Sequence, residues 1–369
     1  MRSTSGEHYV ALDHVRAVAV MLVFSWHFMH GPRGYPVPFD GTPLWSPLVL
    51  FDEGHVGVAL FMTLSGYLFA KLLDGRRVNY PLFFWNRLLR LMPLLLLVLA
   101  IHAVTEAIRA RSALAAVAYL LSMVPGFVLP KWPNGGWSIA VELQFYLLLP
   151  AILLLLRAKP WCVGLLVASA LIFRAAYHAS TGEVQILAYF TIFGRIDQFV
   201  FGILAFHCRN RIPGLRYWAA AAAVTLIHLY WWFDQRGGFF LQPSFPSPSL
   251  IWVVLPTLEG LLFSILIAWY DRSFRPKPGL VSSLLSTIGE YSYSIYLLHF
   301  FFAFDVAAWI QLHLVDISNF YVAVPVSLAV LILVLPLGYL SHRFIERPFL
   351  MLRRPYIRAT NEPMQATAE

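Results

Sequence analysis

Long apolar stretches alternate with short polar connections along almost the whole chain. Those near 11–29, 54–73, 88–106, 138–156, 161–178, 186–206, 216–233, 250–270, 285–311 and 320–344 are each long enough to cross a hydrocarbon core, which takes on the order of 20 helical residues. The pattern predicts an all-α fold, a polytopic transmembrane bundle of about ten spans. The apolar run at 113–129 is shorter and ends among Pro125, Gly126 and Pro130, so it is expected to lie at the interface or to re-enter. No stretch reads as a soluble domain. Residues 1–349 form one membrane domain in this reading, and 350–369 a short cytoplasmic tail expected to be disordered. The Pro- and Ser-rich loop at 242–249 is expected to be irregular and mobile.

Composition agrees, with 59% hydrophobic and 12% charged residues among 369, a balance that excludes an ordinary soluble domain. The net charge of +8 would suit a nucleic-acid binder, but its distribution follows topology instead. With the N-terminus in the cytoplasm, 19 of the 27 basic residues fall in cytoplasmic segments, among them Arg2, Lys159 and Lys277. The outer loops hold Arg33, Arg109, Arg111, Lys131 and Arg236, and Arg16, Arg174 and Arg195 lie within spans. Both ends are therefore expected inside, with no nucleic-acid partner. The first span carries Asp13, His14 and Arg16 and lacks a small-residue cleavage site, so it is expected to stay as an anchor. Cys162 and Cys208 suggest neither a disulfide framework nor a metal site, and read as packing residues.

The candidate chemistry begins inside the first span, where ionisable groups are costly and therefore point to function. Arg16 and His27 are separated by about three helical turns, which puts them on one stripe roughly 16 Å apart. His27 falls near the outer end of that span and Glu142 near the outer start of the fourth, so the two are expected at similar depth, able to meet. A carboxylate there would orient an imidazole that takes or returns a proton. Arg87 and Arg90, three apart, share a helical face at the cytoplasmic entrance of the third span, and such a pair suits phosphate oxygens as well as it suits topology. Later spans bury Arg195, Asp197 and Glu259, with Arg195 expected to pair with a carboxylate, Asp197 or Glu259 among them. Ser292, Tyr296 and His299 share a face of the ninth span, and a polar track across the bundle is predicted. Gly54, Gly57 and Gly66 are placed for close helix approach. No Walker, dinucleotide, zinc-hydrolase or serine-hydrolase motif occurs.

The Arg16-to-His27 spacing, GHVGVALFMTLSGYL (54–68), the RLLR pair, WSIAVELQFY (137–146), GRIDQFVFG (194–202), SYSIYLLH (292–299) and IERP (345–348) occur in this order. Together they resemble the bacterial integral-membrane acyltransferase-3 family over nearly the whole chain. The resemblance implies transfer of an acyl group, usually acetyl, from cytoplasmic acyl-CoA to a hydroxyl of an extracytoplasmic glycan or glycoconjugate, in the bacterial inner membrane. It implies His27 as the catalytic histidine with Arg16 its partner, Arg87 and Arg90 as the donor-binding pair, and Glu142 as a functional carboxylate. Trp137, Ser138, Tyr296 and His299 are candidates for contact with substrate, the last three for holding an oxyanion. Acyl-CoA would be a substrate, with no permanently bound cofactor and no metal. Some relatives carry a fused extracytoplasmic domain, and the transfer is expected here within the membrane domain or with another protein. His27 as base and His27 as transient acyl carrier both remain open. The rival reading is a transporter or flippase for a glycan, lipid or organic anion, whose repeated architecture the sequence does not display.

Overall fold

A computed structural model describes residues 9–31, 43–158, 161–241, 243–275 and 279–358. Arg2, Arg33, Lys159 and Lys277, counted above for topology, lie outside them, as do Gln242 of the Pro/Ser loop and residues 359–369 of the tail. The principal helices are α1 (Val10–Met29), α2 (Val56–Leu73), α3 (Tyr80–Ala110), α4 (Gly136–Ala158), α5 (Trp161–Thr181), α6 (Ile192–Cys208), α7 (Leu215–Asp234), α8 (Ile251–Ser273), α9 (Leu280–Glu290), α10 (Ser292–Leu298), α11 (Ala303–His313) and α12 (Phe320–Leu333). The fold is an all-α polytopic bundle. Among the described residues, seven helical runs are long and apolar enough to cross a membrane, and a pair bent by 62°, Ser292–Phe301 with Ala303–His313, forms either a broken span or a re-entrant loop.

All ten expected stretches are helical, but three are interrupted, 320–344 by a turn at Val334. The stretch 186–206 breaks at Thr191, whose side chain caps α6 by accepting from the Gly194 N–H at 3.3 Å. The stretch 285–311 breaks twice, at Tyr291 and across the 3-10 turn His299–Phe301. α6 spans only 17 residues and contains Arg195 and Asp197. α7 is long enough at 20 residues, but its Ala, Trp, Tyr and His content makes it less apolar. The short run at 113–129 is a helix over Ala113–Met123 followed by a 3-10 turn, and the helix buries none of its residues.

α1 and α2 lie in the interior, whereas α5 turns Leu165, Ile172 and Phe173 outward as a lipid-facing surface. α2 packs most closely on α6. A Cβ on Gly66 would fall 2.0 Å from the Phe199 carbonyl oxygen, and one on Gly202 would fall 2.1 Å from that of Thr63. The two backbones thus touch through reciprocal glycines, the small-residue contact that membrane helices use in place of a hydrophobic driving force.

The disordered tail expected from residue 350 is corrected over its first part. Ile357–Arg358 pairs with Arg77–Val78 as a short antiparallel ladder. Tyr356 is buried against Phe83, and the Asn86 amide donates to the Arg354 carbonyl at 2.7 Å while accepting from the Arg354 N–H at 3.1 Å. Apolar Tyr356 and the paired backbone groups give this stretch a docking energy that its charge-rich composition concealed.

Candidate functional site

Two cavities meet inside the bundle. The first is lined by Arg16 of α1, Ser65 of α2, Arg87 and Arg90 of α3, and Glu142 and Tyr146 of α4. Arg16 pairs with Asp13, three residues earlier on the same helix, and still faces this cavity. The Glu142 carboxylate accepts from the Ser65 hydroxyl at 3.1 Å and from the Tyr146 hydroxyl. Arg87 is buried with its guanidinium near the faces of Phe69 and Phe83, at 5.2 and 5.4 Å from the ring centres, and its Nε makes no hydrogen bond. A buried donor without an acceptor is costly, and here it belongs to a cavity lined by three arginines.

The second cavity is lined by His27 and His30 of α1 and by aromatic side chains including Trp26, Trp137, Tyr189, Phe240 and Phe300. His27 is fixed from two sides. Its Nδ1 lies 2.9 Å from the Val23 carbonyl oxygen and 3.1 Å from His299 Nε2, and the His299 Nδ1 lies 3.0 Å from the Ile295 carbonyl oxygen. A carbonyl only accepts, so His299 Nδ1 carries a hydrogen and, in the neutral ring, His299 Nε2 is an acceptor. His27 must then donate from Nδ1, which leaves its Nε2 with a free lone pair. The helix break after Leu298 puts His299 in this position, wholly buried beside α1.

The expected meeting of His27 with Glu142 does not occur among the contacts of either side chain. They line different cavities, because α4 turns Glu142 toward α2 and the arginines. His299, expected against substrate, instead stands behind His27 as its hydrogen-bond partner. Trp137 lines the His27 cavity and Ser138 the arginine cavity, while Tyr296 borders both. The Ser138 Oγ is 2.9 Å from both the Gly135 carbonyl oxygen and the Tyr296 hydroxyl, and that hydroxyl is 3.2 Å from the same carbonyl. Both hydroxyl protons are therefore taken up within the wall, not offered to an oxyanion.

Arg195 does approach Glu259, at 3.6 Å, whereas Asp197 pairs with Arg174 at 2.7 Å. Arg174 is fully buried and also donates to the Val253 and Gly194 carbonyls and to the Thr257 hydroxyl. These networks tie α5, α6 and α8 together away from the arginine cavity. Arg195 lies 4.3 Å from the Tyr189 ring centre, backing one wall of the His27 cavity.

Two features escaped the sequence. Arg353, read as a topology charge, is carried by the docked tail to the neighbourhood of Arg87 and Arg90, where burial and the charges of Arg90 and Arg87 push its guanidinium down to about 10. At the other end, Glu53 is buried with its Oε2 3.0 Å from His55. Burial, then Asp234 and Asp52, raise its carboxyl well above the ordinary range. The IERP motif marked the start of the tail but not its path, and Glu53 carried no signal beyond its place in an outer loop.

Residues 9–342 match the acyltransferase domain family. A putative O-acetyltransferase of Staphylococcus aureus strain COL is 24% identical over 95% of this chain and 58% of its own length. The putative membrane-bound transacylase BcsY of Komagataeibacter xylinus is 28% identical over 80% of this chain and 76% of its own. The O-acetyltransferase OatA of S. aureus strain NCTC 8325 is 26% identical over 93% of this chain and 57% of its own. The chain thus spans a little over half the length of the staphylococcal relatives it matches. No solved structure matches it. With the family match running from the start of α1 to beyond α12, and the Arg16, His27, Arg87, Arg90 and Glu142 side chains facing two abutting cavities, the chain belongs to the acyltransferase-3 family of multi-pass membrane proteins.

Proposed function

We propose that this protein transfers an acetyl group from acyl-CoA, bound from the cytoplasm at the arginine cavity, to a hydroxyl of a glycan or glycoconjugate that reaches the His27 cavity from the outer side. The observation that carries the reading is the contiguity of the two chambers. A cationic cavity suited to phosphate oxygens abuts an aromatic one that contains a histidine with a free Nε2 lone pair. Two relatives named O-acetyltransferase support acetyl as the group and oxygen as its destination.

His27 Nε2 takes the acceptor's hydroxyl proton as the oxygen attacks the thioester carbonyl. The C–S bond breaks as the C–O bond forms, and the sulfur leaves as thiolate and is protonated. In the stepwise variant, Nε2 itself attacks first and carries the acetyl group until the hydroxyl takes it. Arg16, Arg87 and Arg90 hold the donor's negative charge, and Glu142, with Ser65 and Tyr146, fixes the wall between α2 and α4.

The test is incubation of purified, reconstituted protein with radiolabelled acetyl-CoA, with and without envelope glycans, for wild type and His27→Ala. Label transfer that disappears in the folded variant is the expected result. Turnover unaffected by His27→Ala, or none with any donor and acceptor, would refute the proposal. Label retained on wild-type protein after an acid quench would select the acyl-histidine route.

A further inference from the structure

Among the described residues, the two cavities share two lining residues, Val58 and Tyr296. Tyr296 belongs to α10, one turn before the break at His299, and its ring centre is 6.2 Å from that of His299 and 6.1 Å from that of Phe61. Its hydroxyl is anchored to the Gly135 carbonyl and to Ser138 at the start of α4. Gly135 is at φ +73°, and a Cβ there would lie 2.7 Å from the Tyr296 oxygen. Only a glycine both adopts that backbone and leaves the phenol room to seat. The preceding Asn134, at φ +53°, ties the turn down by donating to the Leu297 carbonyl at 3.1 Å and by meeting His102 at 3.0 Å. A rigid, purpose-shaped seat thus receives one side chain at the junction of the chambers.

The chemistry gives this junction a task. A thioester beside a histidine with a free lone pair can be attacked by water as readily as by an alcohol. In that side reaction a C–O bond forms to the water oxygen, the C–S bond breaks, and the water's protons end on the thiol and the carboxylic acid. Direct access from the outer chamber to the donor would waste acetyl-CoA whenever no acceptor is bound. We infer that Tyr296, latched on Gly135 and Ser138, is the partition between donor and acceptor chambers, and determines that the acetyl group goes to the acceptor alcohol instead of to water. The inference rests on the acyltransferase reading and adds a residue that decides between nucleophiles. The latch consists of two hydrogen bonds between neutral groups, so an acceptor seated among the aromatic side chains can displace it without unfolding the junction.

Acetyl-CoA hydrolysis without acceptor and acetyl transfer with acceptor are to be measured side by side for wild type, Tyr296→Phe, Ser138→Ala and Tyr296→Ala. Tyr296→Phe keeps the ring and drops the latch, and is expected to raise acceptor-free hydrolysis roughly tenfold, the effect of losing one or two neutral hydrogen bonds. Ser138→Ala moves in the same direction, and Tyr296→Ala further, with transfer per acetyl-CoA consumed falling in each. Adding His27→Ala to Tyr296→Phe is expected to abolish the excess hydrolysis. Unchanged hydrolysis in folded Tyr296→Phe and Ser138→Ala would overturn the partition, as would a parallel fall of hydrolysis and transfer. Should Tyr296→Ala fail to fold, the two milder variants decide. A wild type that turns over acetyl-CoA under no condition would instead refute the acyltransferase reading itself.

Discussion

Removing His299 tests how His27 is held. His299→Ala deletes the acceptor 3.1 Å from His27 Nδ1 and leaves the Val23 carbonyl, at 2.9 Å, as the remaining partner. The tautomer therefore survives with one restraint in place of two. What is lost appears when His27 takes a proton or an acyl group on Nε2, because the Nδ1–H bond to His299 then becomes charge-assisted. Hydrogen bonds to charged groups are worth about 1.5–3 kcal/mol, which at about 1.4 kcal/mol per decade corresponds to roughly 10- to 100-fold in kcat. His299 does not line the arginine cavity, so KM for acetyl-CoA is expected to stay within about twofold. His299→Gln, whose Oε1 can replace Nε2 as an acceptor, is expected to recover about a decade. The assay is steady-state acetyl transfer in liposomes, with thermal unfolding midpoints to verify folding. Equal activity in the Ala and Gln variants, or a loss confined to KM for the donor, would refute the tautomer argument.

Arg353→Gln is expected to raise KM for acetyl-CoA about tenfold, the weight of one charge-assisted contact, while leaving kcat and the use of acetyl-pantetheine, which has no phosphates, unchanged; an equal effect on both donors would contradict a phosphate role for the docked tail. Glu53 has a folded-state pKa above its ordinary value of 4.5, so its contribution to stability is fully present below that value and is lost as pH rises through the raised one. Glu53→Gln keeps an oxygen to accept from the Phe239 N–H and removes the ionisation. The wild-type unfolding midpoint should therefore fall more steeply than the variant's as pH rises above the ordinary value of 4.5, and identical slopes would show that Glu53 does not ionise at a cost.

Residues on one continuous helix were the legible ones. Arg16 and His27 could be placed on a common stripe because both lie in α1, and Arg87 with Arg90 because both lie in α3; helical period alone settles such pairs. Pairing between helices was not legible, since it depends on rotation about each axis. Glu142 was expected to meet His27 but turns toward Ser65, and Asp197 found Arg174 before Arg195. The break that delivers His299 left no mark either, as LLHFFFAF contains neither Pro nor Gly and reads as unbroken apolar helix. The docked tail was hidden differently. Its arginines satisfied the topology count so well that nothing called for a second role.

Charge is distributed between the chambers in a way that bears on the reaction. The arginines and Glu142 face the cavity proposed for a polyanionic donor, and the side chain hydrogen-bonded to His27 is neutral. In a histidine–carboxylate pair the anion compensates an imidazolium that forms; here no carboxylate hydrogen-bonds His27 among the described residues. Among the described residues, the side-chain outlet for the Nδ1 proton is the acceptor nitrogen of His299, which is itself oriented by the Ile295 carbonyl one turn earlier. A proton arriving on His27 Nε2 can be matched by one leaving from Nδ1 to His299, so positive charge spreads over two rings without an ion pair at His27 itself. The outer chamber is walled mainly by aromatic side chains, with His30 3.1 Å from Asp52, which suits a neutral alcohol, and the phosphates of the proposed donor belong, in this reading, on the far side of Tyr296. Separating a polyanion from a neutral nucleophile by one hydrogen-bonded phenol is therefore consistent with each half of the chemistry, and it makes the His27–His299 pair and Tyr296 parts of the same device.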